Sequence, residues 1–159
     1  MKVTIVCVGK LKEKYWKDAV AEYEKRLSRY VKLEIIEIAD EKTPDGSSLA
    51  QDEEVRVKEG ERILKVVKEG AYVAALAIEG KMLSSEDLAA FISDKGIRGI
   101  SHLTFIIGGS LGLSQDVMKR ADFALSFSKM TFPHQMMRVV LLEQIYRAQR
   151  IVNNEPYHK

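Results

Sequence analysis

Two stretches in the last third of the chain constrain the fold most: Leu103 to Ile107 and Phe123 to Phe127. Each is a short, almost unbroken apolar run, without the alternation of a half-exposed strand. Such runs read as strands covered on both faces, which is the condition of a parallel sheet layered between helices. Each run also ends in an unusual loop. The first leads into Gly108-Gly109-Ser110-Leu111-Gly112, and the second into Ser128-Lys129-Met130-Thr131-Phe132-Pro133-His134. In open α/β sheets, ligands bind outside the carboxyl ends of the strands. The candidate site therefore lies at these two loops.

The rest of the chain alternates in the same way. Lys2 to Val8 is β-branched and closed by Gly9. A helix is expected over roughly Glu13 to Tyr30, with Tyr15, Trp16, Ala19, Val20, Tyr23 and Leu27 at helical spacing. Its exposed side carries Lys10, Lys12, Lys14, Lys17, Lys25, Arg26 and Arg29 among acidic neighbours. A solvated charged face explains that pattern better than an RNA-facing patch. Leu33 to Ile38 is a second strand, and Thr43 to Ser48 has loop chemistry. Leu49 to Lys68 reads as a long charged helix weakened by Gly60. Tyr72 to Ile78 is a third strand. Ser84 and Asp87 then resemble a capping box for a helix to about Lys95, ended by Gly96. Ser114 is a candidate N-cap for a short helix between the last two strands.

The final helix starts near Pro133, a residue favoured at a first helical position, and runs to about Val152. Its apolar residues cover most of its circumference, so it must be buried on more than one side. A homodimer packed through this helix is the expectation. The tail, Asn153 to Lys159, belongs to the type of segment that is usually disordered. Five strands alternating with helices imply one α/β domain over residues 1–159 with a mostly parallel sheet.

Composition narrows the function. The chain is 46% hydrophobic and 30% charged, too apolar for disorder. Its single cysteine, Cys7, lies in a strand, so no disulfide framework exists and a reducing cytoplasm fits. The N-terminal apolar run is too short for a signal peptide, and no stretch is long enough to span a membrane. The net charge of +2 permits a nucleic-acid partner without demanding one.

The residues leave several chemistries open. The glycine turn frees backbone N–H groups and permits close approach, but it is equally a tight strand-to-helix junction. It is not a dinucleotide fingerprint, which would follow the first strand, and no phosphate-cradling Gly-Lys-Ser/Thr is present. His102, His134 and His158 are dispersed, with no cysteine or carboxylate at ligand spacing, so no metal is expected. His102 precedes a strand and reads as a surface residue. His134 sits at a helix start, where imidazolium is disfavoured and a neutral imidazole can act as acceptor or base. Arg138 lies one turn on, and with Lys129 it could hold an anion or pair with Glu143 or another acid.

Taken together, certain segments carry a family resemblance. They are VCVGKLKEKYW (6–16), EYEKRLSRY (22–30), LAIEGK (76–81), IGGSLGL (107–113), LSFSKMTFPHQMMRVVLLEQIYRA (125–148) and the terminal PYHK (156–159). The chain resembles the SPOUT methyltransferases, and closely resembles their pseudouridine methyltransferases of the large ribosomal subunit (RlmH-type), over its whole length. The resemblance implies an α/β fold with a C-terminal trefoil knot and an obligate homodimer. It also implies S-adenosylmethionine held by three loops, which map to Leu76, to Gly108 and Gly109, and to Phe127, Ser128, Lys129, Met130, Thr131 and Phe132. The implied reaction is methylation of N3 of a pseudouridine in 23S rRNA of the assembled ribosome. His134 is then expected as base or substrate-positioning group and Arg138 as partner to a developing anion or phosphate. Tyr157 and His158 are expected to line the site from the other subunit. A nicotinamide or flavin enzyme, a methyltransferase acting on tRNA, and a non-catalytic ribosome-binding module are the competing readings.

Overall fold

The computed structural model describes all residues, 1–159. The elements alternate: β1 (Lys2–Val8), α1 (Lys14–Leu27), β2 (Lys32–Ile38), α2 (Leu49–Val66), β3 (Tyr72–Met82), α3 (Ser85–Ile97), β4 (His102–Ile107), α4 (Gln115–Arg120), β5 (Phe123–Ser126) and α5 (His134–Val152). The five strands form one sheet in the order β2-β1-β4-β3-β5, and every pair is parallel.

Strand alternation sorts the apolar side chains into two layers. Val3, Ile5 and Cys7 of β1, with Leu103, Phe105 and Ile107 of β4, meet α1, α3 and α5. Val6 and Val8, with Ile106 and Val73, meet Ile63 of α2 and Val117 of α4. Successive crossovers thus run left over one face and right over the other, the arrangement that keeps every crossover of one hand. Helix α5 lies between α1 and α3, burying Met137, Leu141, Leu142, Ile145 and Ala148. Two helices of the same chain therefore flank it, while Met136 and Val152 stay exposed.

Several boundaries differ from the sequence expectations for local reasons. Helix α1 stops at Leu27, three residues short of Tyr30, where Ser28, Tyr30 and Val31 turn back onto Glu24 and Leu27 carbonyls. Strand β3 does not stop at Ile78. After an irregularity between Leu76 and Lys81 it resumes pairing, with Lys81 opposite Leu125 and Met82 opposite Ser126. Gly80 makes this possible, because a Cβ there would lie 2.7 Å from the Ala124 backbone. Gly96 is inside α3 rather than at its end; the chain leaves through Arg98 and Gly99, whose φ is +83°. The Ser84/Asp87 capping box has both bonds, at 3.0 and 3.3 Å. A second box, Ser48 with Gln51, starts α2. Gly60 is a packing residue rather than a weak point: a Cβ would sit 2.3 Å from Ser114 Oγ, the oxygen that caps α4.

Candidate active site

The carboxyl ends of the strands bring the candidate residues to one end of the sheet. Because β4, β3 and β5 are adjacent in that order, Gly108 and Gly109, then Leu76, then Phe127 to Phe132 follow one another across three neighbouring strand ends. The register places Leu76 directly opposite Leu125. Gly9 at the end of β1 and the N-terminus of α5 complete the same edge: a Cβ on Gly9 would meet His134 Cε1 at 3.2 Å.

The turn after β4 is tightly folded. Gly112 donates to the Gly109 carbonyl at 3.1 Å with a φ of +82°, which glycine tolerates best. A Cβ on Gly108 would press on Gly112 and Leu113 at 3.0–3.1 Å. Gly109 and Gly112 face each other as an isolated antiparallel bridge, while the N–H groups of Gly108, Ser110 and Leu111 donate to no protein acceptor. They form a set of free donors at the mouth of the sheet, suited to the polar groups of a ligand.

The loop after β5 is different. Ser128 folds it, its Oγ accepting from Met130 N–H at 2.9 Å while Ser126 Oγ donates to the Ser128 carbonyl at 3.1 Å. Lys129, Met130, Thr131 and Phe132 are exposed, Met130 at 73%. Beside this loop, a cavity of about 200 Å³ is lined by Leu83, Ser85, Leu88, Leu125, Ser126, Phe127, Val140 and Gln144. Of the cofactor candidates only Phe127 reaches it.

His134 is half-buried at the first position of α5. Its Nδ1 is buried and has no hydrogen-bond partner. Burial, helped by the Arg138 charge, pulls its pKa below the ordinary histidine value of 6.5, with Asp40 pulling weakly the other way. The ring is therefore held toward its neutral form, with Nδ1 enclosed. Arg138 is buried at 1% exposure. It donates to Glu37 Oε2 at 2.7 Å and to the Gly9 carbonyl at 3.2 Å. The acid it pairs with is thus Glu37, while Glu143 is taken by Arg147 at 2.6 Å. A guanidinium so enclosed has no face left for an RNA phosphate, and its place is to fix Gly9 and the start of α5 from within. Glu37, whose second donor is Leu11 N–H at 3.1 Å, is a site residue that the sequence reading passed over. Its signal is a carboxylate inside the apolar strand LEIIEI.

The tail is ordered by its own chain, contrary to the expectation of disorder. Arg150 pairs with Glu155 and donates to the Pro156 carbonyl at 3.0 Å. Tyr157 donates to Glu143 Oε1 at 3.0 Å and stacks edge-on against Tyr146. Burial and the Glu143 bond raise its phenol pKa to about 12, so it is a neutral donor. His158 is held between Glu86 at 2.7 Å and Arg147 at 3.2 Å. Glu143, Tyr146, Arg147 and Arg150 lie on α5, roughly 14–24 Å beyond His134 along the helix axis, and Glu86 lies on α3. Within one chain, then, Tyr157 and His158 are not brought to His134. His102 lies within β4 and is half-buried, bonded to Thr4 Oγ1 at 2.8 Å, so it is not the surface residue expected. No three His, Cys, Asp or Glu side chains converge as a metal site.

Comparison with known proteins gives consistent results. A family model described as "Predicted SPOUT methyltransferase" matches residues 1–158. A protein of Bifidobacterium adolescentis named ribosomal RNA large subunit methyltransferase H is 62% identical over 159 residues, covering all of both chains. The protein of that name from Clostridium novyi is 61% identical, also over both full lengths. Among solved structures, a probable methylase family protein from Haemophilus influenzae superposes with a TM-score of 0.56 at 12% identity. That match covers 99% of this chain and 70% of the other, and supports the fold. With a family match from end to end and relatives this similar over their full length, the chain belongs to the SPOUT methyltransferase family.

Proposed function

We propose that this methyltransferase transfers a methyl group from S-adenosylmethionine to N3 of a pseudouridine in the 23S rRNA of assembled ribosomes. It acts as a cytoplasmic homodimer with the family's C-terminal trefoil knot. The observation that carries the reading is full-length identity of about 60% to relatives named for methylation of large-subunit ribosomal RNA. The residues present fit the donor. Free N–H groups at Gly108 and Ser110 suit its polar groups, and Leu76 with the exposed apolar side chains of Met130 and Phe132 suits its flat base.

When bound, S-adenosylmethionine supplies a methyl group already activated as an electrophile. The protein's task is to bind, to align an in-line attack and to take a proton. Alignment of this kind is worth up to about 7–11 kcal/mol. The N3 imide proton must leave, and the neutral His134 ring is placed to take it through Nε2, since Nδ1 is enclosed by the protein. Arg138 and Glu37 hold Gly9 and the start of α5 in place, and so set where that ring stands. Tyr157 and His158 are displayed by a prefolded arm far from their own His134, which supports their delivery to the site of a partner subunit. Tyr157 there is a phenol donor rather than a base.

The test is transfer of radiolabelled methyl to assembled ribosomes and to protein-free ribosomal RNA, side by side. Label on a large-subunit pseudouridine, seen only with ribosomes, is expected. No label on either, from a protein that sediments as a folded dimer, overturns the substrate assignment.

A further inference from the structure

One ionisable side chain outside the residues assigned above is buried with a polar atom unused. Glu59 lies mid-way along α2 at 4% exposure, on the same stripe as the buried Val55 and Ile63 four residues either side. A carboxyl group in such a place loses hydration, and an apolar residue would fill the space at no such cost. Its Oε2 accepts the Glu41 N–H at 2.9 Å, while Oε1 has no partner. Both oxygens stand directly behind the glycine turn. A Cβ on Gly109 would meet Oε1 at 3.1 Å and Oε2 at 3.3 Å, with Val8 Cγ1 at 3.2 Å on the side of β1.

The neighbouring residues of α2 grip the same two loops. Gly60 lies flat against Ser114, and Arg56 Nη1 reaches the Leu111 carbonyl at 3.5 Å. Arg62 donates to the Ala39 carbonyl at 3.0 Å and to Glu41 Oε2 at 2.6 Å. Helix α2 thus clamps the turn after β4 and the connection after β2, and Glu59 is the one residue that touches both. The charged groups near it are Asp40 and Glu41, which repel, and Arg62, which attracts.

We propose that Glu59 is a positioning residue of the methyl-donor site: its carboxyl group braces the glycine turn from behind at Gly109, ties it to the 39–41 connection, and so sets where the free N–H groups of Gly108, Ser110 and Leu111 stand. The inference deepens the methyltransferase reading and rests on it for the identity of the ligand.

The experiment uses the full chain as wild type, Glu59→Gln, Glu59→Ala and Arg62→Ala. Titration calorimetry with S-adenosylmethionine, steady-state kinetics on ribosomes and amide hydrogen exchange of the ligand-free proteins are compared. Gln keeps the shape and an acceptor for Glu41 N–H, so Glu59→Gln is expected to bind within about threefold of wild type. Glu59→Ala is expected to weaken binding about tenfold or more, as a raised KM for the donor with kcat at saturation changed little. Arg62→Ala, which loosens only the 39–41 connection, is expected to fall between them. Exchange at Gly108 to Gly112 should quicken in Glu59→Ala and not in Glu59→Gln. Equal donor affinity in wild type and Glu59→Ala overturns the proposal. So does equal loss in Gln and Ala, which would mean that the charge meets the ligand itself. If wild type binds no S-adenosylmethionine, the donor assignment falls, while exchange still judges the brace.

Discussion

The turn after β4 and the loop after β5 leave the same end of the sheet one strand apart, and they are held in opposite ways. The first is gripped from behind by α2 through Arg56, Glu59 and Gly60, and it ends on a capped helix at Ser114. Its own side chains are minimal, and what it offers is backbone N–H. The second is folded by two serine hydroxyls, those of Ser126 and Ser128, and what it offers is side chain: Met130 and Phe132 in the open. A braced edge of backbone donors beside a loop with two exposed apolar side chains would suit a ligand with a polar end and a flat one. Rigidity fixes orientation, and a flexible thioether or aromatic adapts to the remainder. The exit of the second loop into α5 is pinned from within by Arg138, which is buried and pairs with the partly exposed Glu37.

Breaking that pin should have the largest effect. Arg138→Ala leaves a void under α5 and strips Glu37 of its partner. A loss of about 2–4 kcal/mol, mainly from lost packing because Glu37 keeps access to water, is expected by denaturant unfolding. A loss below 1 kcal/mol would mean that the exit of the loop is not held from inside. Next is the braced side. Gly60→Ala forces a methyl group against the Ser114 hydroxyl and disturbs the cap of α4, for about 1–3 kcal/mol. Thermal melting reads it, and Ser114→Gly in the same background should recover part of the loss.

Proton linkage sharpens the contrast without breaking either loop. Burial raises the Glu59 pKa above 4.5. A carboxyl group so shifted contributes its stability below the unfolded value and loses it as the pH rises through the folded value. Glu59→Gln removes that loss, so its advantage in melting temperature over wild type should be wider at pH 7 than at pH 4. A constant gap would contradict the burial of an ionisable Glu59. At His134 the shift is downward, so the folded chain resists taking a proton and stability declines as the pH falls through 6.5. If His134 is the base, the acid limb of kcat/KM lies below 6.5. A limb at or above 6.5 removes it from that role.

The smallest effect is at the loop after β5. Met130→Ser changes an exposed side chain and should leave stability within about 0.5 kcal/mol. Donor affinity should nevertheless fall measurably in calorimetry. If affinity is unchanged and stability drops, the loop is structural and the comparison fails.

Much of this architecture is written in local pattern. The unbroken apolar run of β4 required layers on both faces, and the structure has them, because a central parallel strand can be covered only that way. The second run, Phe123 to Phe127, differs: it forms the edge strand β5, Phe123–Ser126, in which Phe123 and Ala124 are only part-buried. The Ser84 and Ser114 caps were legible because capping acts over three residues. Glu59 was legible too, at the spacing of Val55 and Ile63, but a charged residue on an apolar stripe is easily assigned to the solvent. Other features depend on neighbours far along the chain. Gly60 looked like a weak point in a helix and is a contact with Ser114. Gly80 looked like the end of a strand and lets β3 pass against β5. Arg138 and His134 were expected on one helical face. That Arg138 turns inward to Glu37, 101 residues away, follows from the β1–β2 edge lying beneath α5.

By itself the sequence determined the order and type of the elements, the parallel sheet, and the family to which the motifs belong. Those are properties of short-range periodicity, capping and residue identity. Only the tertiary structure decided which groups are free and which are spent. His134 keeps an unpartnered nitrogen, the glycine turn keeps the N–H groups of Gly108, Ser110 and Leu111, Arg138 is consumed by Glu37, and the tail is tied to α5 and α3. The physical reason is that hydrogen-bond satisfaction and desolvation are set by what packs within a few ångströms, and in a crossed parallel sheet those neighbours come from the far ends of the chain.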